Sequence, residues 1–365
     1  MREPLKLAVI GPGRIGRFHA LHAQELAREG AGCELTAVVD LRRDVAERVA
    51  EELEAHQDGK IAVFSDVEEL AATGVADASV ICSPTAHHRE HAETVIRAGQ
   101  RVLLEKPLTG SLDGDREFTA FLGEHHPRAL MLAFQRRFDD ALLHAKGMLE
   151  RGAIGRPFKF VSVLEDSRPP PDGYNSPGLL GDMSVHNVDE VLWLSGVLPV
   201  RVAALGSRLF NCRIASVEED YDDALLQMWF DGDLMARVEV SRNHVSGYRT
   251  ETWIFGEDGS IHVGRFEQNR HEIVVEAYGS ERPIERRTFP LREYRSSVAG
   301  TSVPEFVDRF GPAYRAELAD FVHRCRKEEP FSVNQDDGLR AMEVIEAALG
   351  SLRDRGTSVP VGRWR

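Results

Sequence analysis

Apolar residues in the first 135 positions fall into short runs separated by segments of helical period. The runs at 5–10, 35–39, 61–64, 78–82, 101–104 and 130–133 are nearly continuous, which predicts strands covered on both faces. Segments 14–28, 42–55, 88–98 and 112–124 space their apolar residues at helical intervals, which predicts helices. Strand and helix alternate, so the expected sheet is parallel with right-handed crossovers.

The pattern changes after about position 138. A helix is predicted over 139–150, a strand over 158–164, and a helix over 179–194. Between the last two, RPPPDGYNSP (168–177) is too rich in proline to be anything but a loop. Alternating runs at 202–210, 224–230, 234–241, 250–255, 260–263 and 272–277 predict consecutive strands. Asp231-Gly232 and Asp258-Gly259 supply hairpin turns, because these residues tolerate positive φ. Helices over 303–327 and 335–355 close the chain. The expectation is an α/β protein with a domain at 1–135 and an α+β domain at 136–365, the latter built on a large, open, mainly antiparallel sheet.

Composition narrows the function classes. The chain has 365 residues, 42% hydrophobic and 28% charged, which is a globular profile with enough length for two cores. Lys and Arg number 45 against 59 Asp and Glu, a formal charge of -14 that disfavours a nucleic-acid partner. No apolar run reaches the roughly 18 residues that span a bilayer, and the N-terminus lacks a signal-peptide pattern. The four cysteines, Cys33, Cys82, Cys212 and Cys325, form no CxxC pair. A disulfide framework and a metal centre are not expected, and a reducing cytoplasm is.

Gly11-Pro12-Gly13-Arg14-Ile15-Gly16 is a GxGxxG between a predicted strand and a predicted helix. Gly11 makes the tight turn, Gly13 lets backbone approach a pyrophosphate, and Gly16 lets helix and strand pack. Asp40, 24 positions after Gly16, ends the second strand and can accept hydrogen bonds from an adenosine ribose. With Leu41 and Arg42 it completes a dinucleotide site in a doubly wound Rossmann sheet. Asp40 favours NAD; Arg42 and Arg43 beside it leave NADP open.

Two further patterns carry candidate chemistry. RVLLEKP (101–107) puts Glu105 and Lys106 at the carboxyl end of a strand, where open α/β sheets bind ligands. On a regular α-helix at about 100° per residue, Asp182, His186 and Asp189 share an arc of roughly 60°. A histidine flanked by carboxylates can take a hydroxyl proton. The commoner meaning of Asp-x3-His alone is a solvated helix face. Arg136 and Arg137 follow the last strand of the first domain and read equally as surface salt bridges. Arg168 and Tyr174 in the proline-rich loop, and Tyr248 in the sheet region, are candidates to cover a substrate. Taken singly, such residues are more often structural.

At this point the chain resembles the glucose–fructose oxidoreductase/inositol dehydrogenase family, Gfo/Idh/MocA. The resemblance rests on GPGRIG, SPTAHHREHAETVIRAGQRVLLEKP and GDMSVHNVDEVLWLSG. AFQRRFD (133–139) and FVDRFGPAYRAELADF (306–321) are similar to its inositol dehydrogenase branch. The resemblance implies that Lys106 lies between nicotinamide and substrate, with Lys106-Pro107 a candidate cis bond. It implies that Ser83, Pro84, Thr85, His88 and Glu105 border the cofactor. It makes Lys106, Asp182 and His186 the catalytic set, with Arg136, Arg168, Asp189 and Tyr248 near the substrate. The implied activity is hydride transfer between NAD(P) and a hydroxyl-bearing carbon of a cyclic polyol or sugar, in a homodimer or homotetramer. Relatives that hydrolyse glycosides by transient oxidation, or that only sense a dinucleotide, are the alternatives. One departure is Asn187, where many members carry an aspartate that helps select the sugar.

Overall fold

A computed structural model describes residues 3–362 apart from 56, 58, 168–176, 209–219, 245, 265–271 and 292–304. Arg168, Tyr174 and Cys212 therefore lie outside the described residues. The chain forms two compact units, 1–134 with 314–339 and 135–313 with 340–365.

The first unit alternates β1 (Leu5–Ile10), α1 (Arg14–Arg28), β2 (Cys33–Val39), α2 (Arg43–Glu54), β3 (Ala62–Phe64), α3 (Val67–Thr73), β4 (Ala78–Ile81), α4 (His88–Arg97), β5 (Arg101–Glu105), α5 (Leu112–His125) and β6 (Leu130–Ala133). All six strands pair in parallel, in the order β3-β2-β1-β4-β5-β6. That is the doubly wound order, with its switch point between β1 and β4. β4 and β6 are buried at every position, as their unbroken apolar runs require. Helix α3 was not legible as a separate element; Asp66 caps it by accepting from Glu69 N at 2.6 Å.

A single cut after 135 assigns 314–339 to the second domain, whereas these residues pack in the first unit. The reason is local. Arg101 donates to the carbonyls of Arg324 and Glu329 at 3.1 and 2.8 Å and stacks on Phe331. Phe321 is fully buried.

The second unit contains α6 (Asp140–Glu150), β7 (Pro157–Glu165), α7 (Val185–Ser195), β8 (Pro199–Ser207), β9 (Asp223–Phe230), β10 (Met235–Ser241), β11 (Arg249–Gly256), β12 (Gly259–Gly264), β13 (Glu272–Gly279) and β14 (Pro283–Pro290). The closing helices are α8 (Glu305–Lys327) and α9 (Gln335–Arg353), and β15 (Val359–Pro360) ends the sheet. Nine strands line up as β14-β13-β12-β11-β7-β10-β9-β8-β15. Every pair is antiparallel except β7 with β10. Helix α6 packs against β12 and β13, and α7 against β7 and β10. The charged edge strand β14 escaped the hydrophobic pattern because it is mostly exposed. Among the described residues, no helix is long and apolar enough to cross a membrane.

Candidate active site

The glycine turn is shaped by backbone. Gly11 has φ +77°, and a Cβ there would stand 2.7 Å from Ser83 N on the neighbouring turn after β4. A Cβ on Gly16 would lie 2.3 Å from the Gly11 carbonyl oxygen. Gly13 differs: a Cβ there would meet nothing within 4 Å. Gly13 is also the N-cap of α1, whose first turn has neither a side-chain cap nor an acidic residue. Its amides and the positive end of its dipole face an open cradle, with Arg14 exposed and Ile15 half-buried. Asp40 is half-exposed at the end of β2 and accepts from Arg42 N at 2.9 Å. Leu41, beside it, is 89% exposed.

Strand β5 delivers the second group. From Val102 to Leu108 every residue is buried except Lys106, which is half-exposed. The Lys106-Pro107 bond is cis. Glu105 is turned inward: its carboxylate lies 3.1 Å from His19 Nε2 and accepts the Lys106 backbone N–H at 3.3 Å. Glu317 is fully buried, and burial, with the negative charge of Glu105 behind it, pushes its carboxyl well above the ordinary value. Pro84 is exposed and Thr85 half-buried, whereas His88 is 2% exposed with both ring nitrogens against carbonyl oxygens. Burial holds the His88 imidazole below its ordinary pKa, against the pull of those carbonyls. The ring is thus committed to protein backbone rather than offered to a ligand.

In the second unit, a π-helical turn over Leu180–Ser184 leads into α7. The sequence predicts one regular helix here, so the inserted turn changes the angular relation of Asp182 to the residues after it. Between Gly178 and Leu192 only Asp182 and His186 are half-exposed; all the others are buried. Asp182 Oδ2 accepts from Arg242 Nη2 at 3.4 Å, and Arg242 Nη1 donates to Asp220 Oδ2 at 3.3 Å. Asp220 in turn accepts from Leu179 N at 2.9 Å, pinning the start of the turn. Sequence reasoning did not single out Arg242 or Asp220.

Two of the expected substrate contacts are spent inside the unit. Asp189 is 1% exposed and is held by Arg137 through two hydrogen bonds of 3.0 and 2.5 Å. Arg136 is 2% exposed and donates to Glu190 at 2.7 Å. Glu190 also accepts from Ser162 and Thr252. These are internal ion pairs, kept because a buried charge needs a partner. Asn187 is likewise fully buried and donates to Ser162 Oγ at 2.7 Å. Tyr248 is half-buried; burial and Asp166 push its phenol far above the ordinary value, with Arg136 and Arg309 opposing. It therefore offers a neutral hydroxyl.

Comparison with known proteins bears on this arrangement. Residues 5–134 match the model of an oxidoreductase family with an NAD-binding Rossmann fold, and 142–262 match the GFO/IDH/MocA C-terminal domain. An inositol 2-dehydrogenase of Acidothermus cellulolyticus is 30% identical over 351 residues, 96% of this chain and 93% of the relative. The chain belongs to the GFO/IDH/MocA oxidoreductase family. A Bacillus subtilis scyllo-inositol 2-dehydrogenase (NAD(+)) is 29% identical over 97% of this chain and 96% of its own. The crystal structure of a myo-inositol dehydrogenase from Corynebacterium glutamicum superposes with a TM-score of 0.80 at 25% identity, covering 99% of this chain and 100% of that one.

As a family member the protein is an NAD-dependent oxidoreductase, and its first unit fits that cofactor. The uncapped α1 terminus and the open space at Gly13 suit a pyrophosphate. The Asp40 carboxylate suits ribose hydroxyls and opposes a 2′-phosphate.

Proposed function

We propose that the protein oxidises a ring hydroxyl of a cyclic polyol, with an inositol as the substrate class. The observation that carries this is the pair Asp182 and His186, the only half-exposed residues in an otherwise buried stretch. Relatives named inositol 2-dehydrogenase, aligned over nearly the whole chain, supply the substrate class.

The catalytic set is Lys106, Asp182 and His186. His186 takes the hydroxyl proton as general base. Asp182 orients the imidazole and stabilises its protonated form, while Arg242 holds Asp182 in place. Lys106 hydrogen-bonds the reacting oxygen and stabilises the negative charge that grows on it. Bound nicotinamide supplies the hydride acceptor. The backbone amides of the first turn of α1, after Gly13, bind the pyrophosphate, Asp40 binds the adenosine ribose, and Leu41 offers apolar surface to the base.

The reading includes self-association. Leu205, Leu225, Trp229 and Met235 are neighbours across β8, β9 and β10, and each is more than a third exposed. They lie on one face of the sheet, and a second copy of this chain is the occupant proposed for it. Light scattering tests this, and a monomer overturns it.

The deciding experiment mixes purified protein with NAD⁺ or NADP⁺ and a panel of inositol isomers, aldoses and sugar acids. Absorbance of reduced nicotinamide is expected to rise with NAD⁺ and at least one inositol. A flat panel, with NAD released on denaturation, would replace this reading by transient oxidation in a glycoside-cleaving cycle.

A further inference from the structure

Two buried histidines from different helices grip the residues on either side of Lys106. On one flank is His19, in α1, fully buried and edge-on to Tyr314 with ring centroids 5.8 Å apart. Its Nε2 lies 3.1 Å from Glu105 Oε1, and Glu105 Oε2 accepts the Lys106 backbone N–H. On the other flank is His88, near the start of α4. Its Nδ1 lies 2.8 Å from the Pro107 carbonyl oxygen and its Nε2 lies 2.9 Å from that of Ser83. A carbonyl oxygen only accepts, so the ring reaches these groups through N–H: one at a time when neutral, both as imidazolium.

We propose that His88 and His19 are positioning residues that fix the Glu105–Lys106–Pro107 turn and so aim Lys106. The proposal rests on the reading of Lys106 as a catalytic group. His88 ties the turn after β5 to the turn after β4, the neighbouring strand. His19 ties it to the helix that begins at the phosphate cradle. The lysine backbone is thereby set relative to both cofactor-binding turns by histidines buried within the first unit. Such bracing matters because a displacement of about 1 Å at a reacting group can cost roughly 100-fold in rate.

The test compares His88→Phe, which keeps a ring of similar size and removes both contacts, with His88→Gln, which keeps a donor. Each is made in the natural chain and in Lys106→Met. His88→Phe is expected to lower kcat by about 10- to 100-fold while KM for NAD⁺ stays nearly unchanged. His88→Gln should recover part of the loss. In the Lys106→Met background His88→Phe should add no further loss, because the two act as one unit. Peptide-level hydrogen exchange should quicken over 79–88 and 101–110 and stay unchanged over α7. Natural kcat in His88→Phe, or an equal further loss in the Lys106→Met background, overturns the proposal. If the unmodified protein oxidises no polyol, the dehydrogenase reading falls, and hydrogen exchange alone decides whether the histidines hold the turn. Should His88→Phe not fold, the exchange measurement is made on His88→Gln and on His19→Gln with the same two outcomes.

Discussion

Arg242 stands between Asp182 and Asp220, its two terminal nitrogens 3.4 and 3.3 Å from one carboxylate oxygen of each. The guanidinium is 3% exposed as a side chain and Asp220 5%, so this is a buried network. Arg242→Met removes the guanidinium that lies against both carboxylates, and breaking a buried pair in this way costs about 3–5 kcal/mol. Arg242→Lys keeps the charge but loses the planar fork that reaches both carboxylates. Urea denaturation should rank natural chain above Lys variant above Met variant, and kcat should follow that order. A Met variant as stable as the natural protein would refute the bracing of Asp182.

Removing the proposed base separates chemistry from binding. His186→Ala should lower kcat by roughly 100- to 10,000-fold, the usual range for a positioned general base. NADH affinity, read by fluorescence titration, should barely change, because no part of the glycine turn is altered. Lys106→Met should lower kcat as well, with its loss concentrated in the chemical step. Unchanged turnover with weakened NADH binding would remove His186 from the catalytic set.

The first unit was largely legible in the sequence because buried parallel strands write themselves as unbroken apolar runs, and because GxGxxG imposes steric demands that few other turns share. Gly11 and Gly16 meet those demands through backbone contacts that a Cβ would violate. The helical arc that joined Asp189 to Asp182 and His186 was misleading for two reasons. A π-helical turn has the same apolar content as an α-helical one, so no pattern announces it. Arg137, which claims Asp189, lies 52 residues away in the chain. Arg242 was invisible for the same reason: 60 residues separate it from Asp182, and only the fold brings them together. The grouping of 314–339 with the first unit follows from Arg101 and Phe331, a pairing that no local period encodes.

Gly16 and Gly13 should respond differently to a single methyl group. Gly16→Ala drives Cβ to 2.3 Å from a backbone oxygen, so the helix and turn must shift and the melting temperature should fall. Gly13→Ala meets nothing within 4 Å, so the melting temperature should hold. Its methyl enters the space assigned to the pyrophosphate, and NADH affinity should drop by about tenfold or more, some 1.4 kcal/mol. Differential scanning fluorimetry beside NADH titration reads both quantities. Full NADH affinity in Gly13→Ala would move the phosphate site elsewhere.

Asp115, in α5, gives the first unit a pH dependence of opposite sign to an ordinary paired carboxylate. It is fully buried, and burial raises its pKa from 3.8 to about 6, although Thr109 donates to it through both N and Oγ1. Between those values the folded state holds a proton that the unfolded chain has lost. Stability therefore falls as pH rises from about 4 to about 6, by up to about 3 kcal/mol from this group. Above the folded value the carboxylate stays charged and the loss is complete. Asp115→Asn keeps an acceptor for Thr109 and carries no charge, so its contribution does not change with pH. Measured by urea denaturation, the variant should gain on the natural protein between pH 4.5 and pH 7.5. An equal difference at both pH values would mean that Asp115 titrates alike in the folded and unfolded chains.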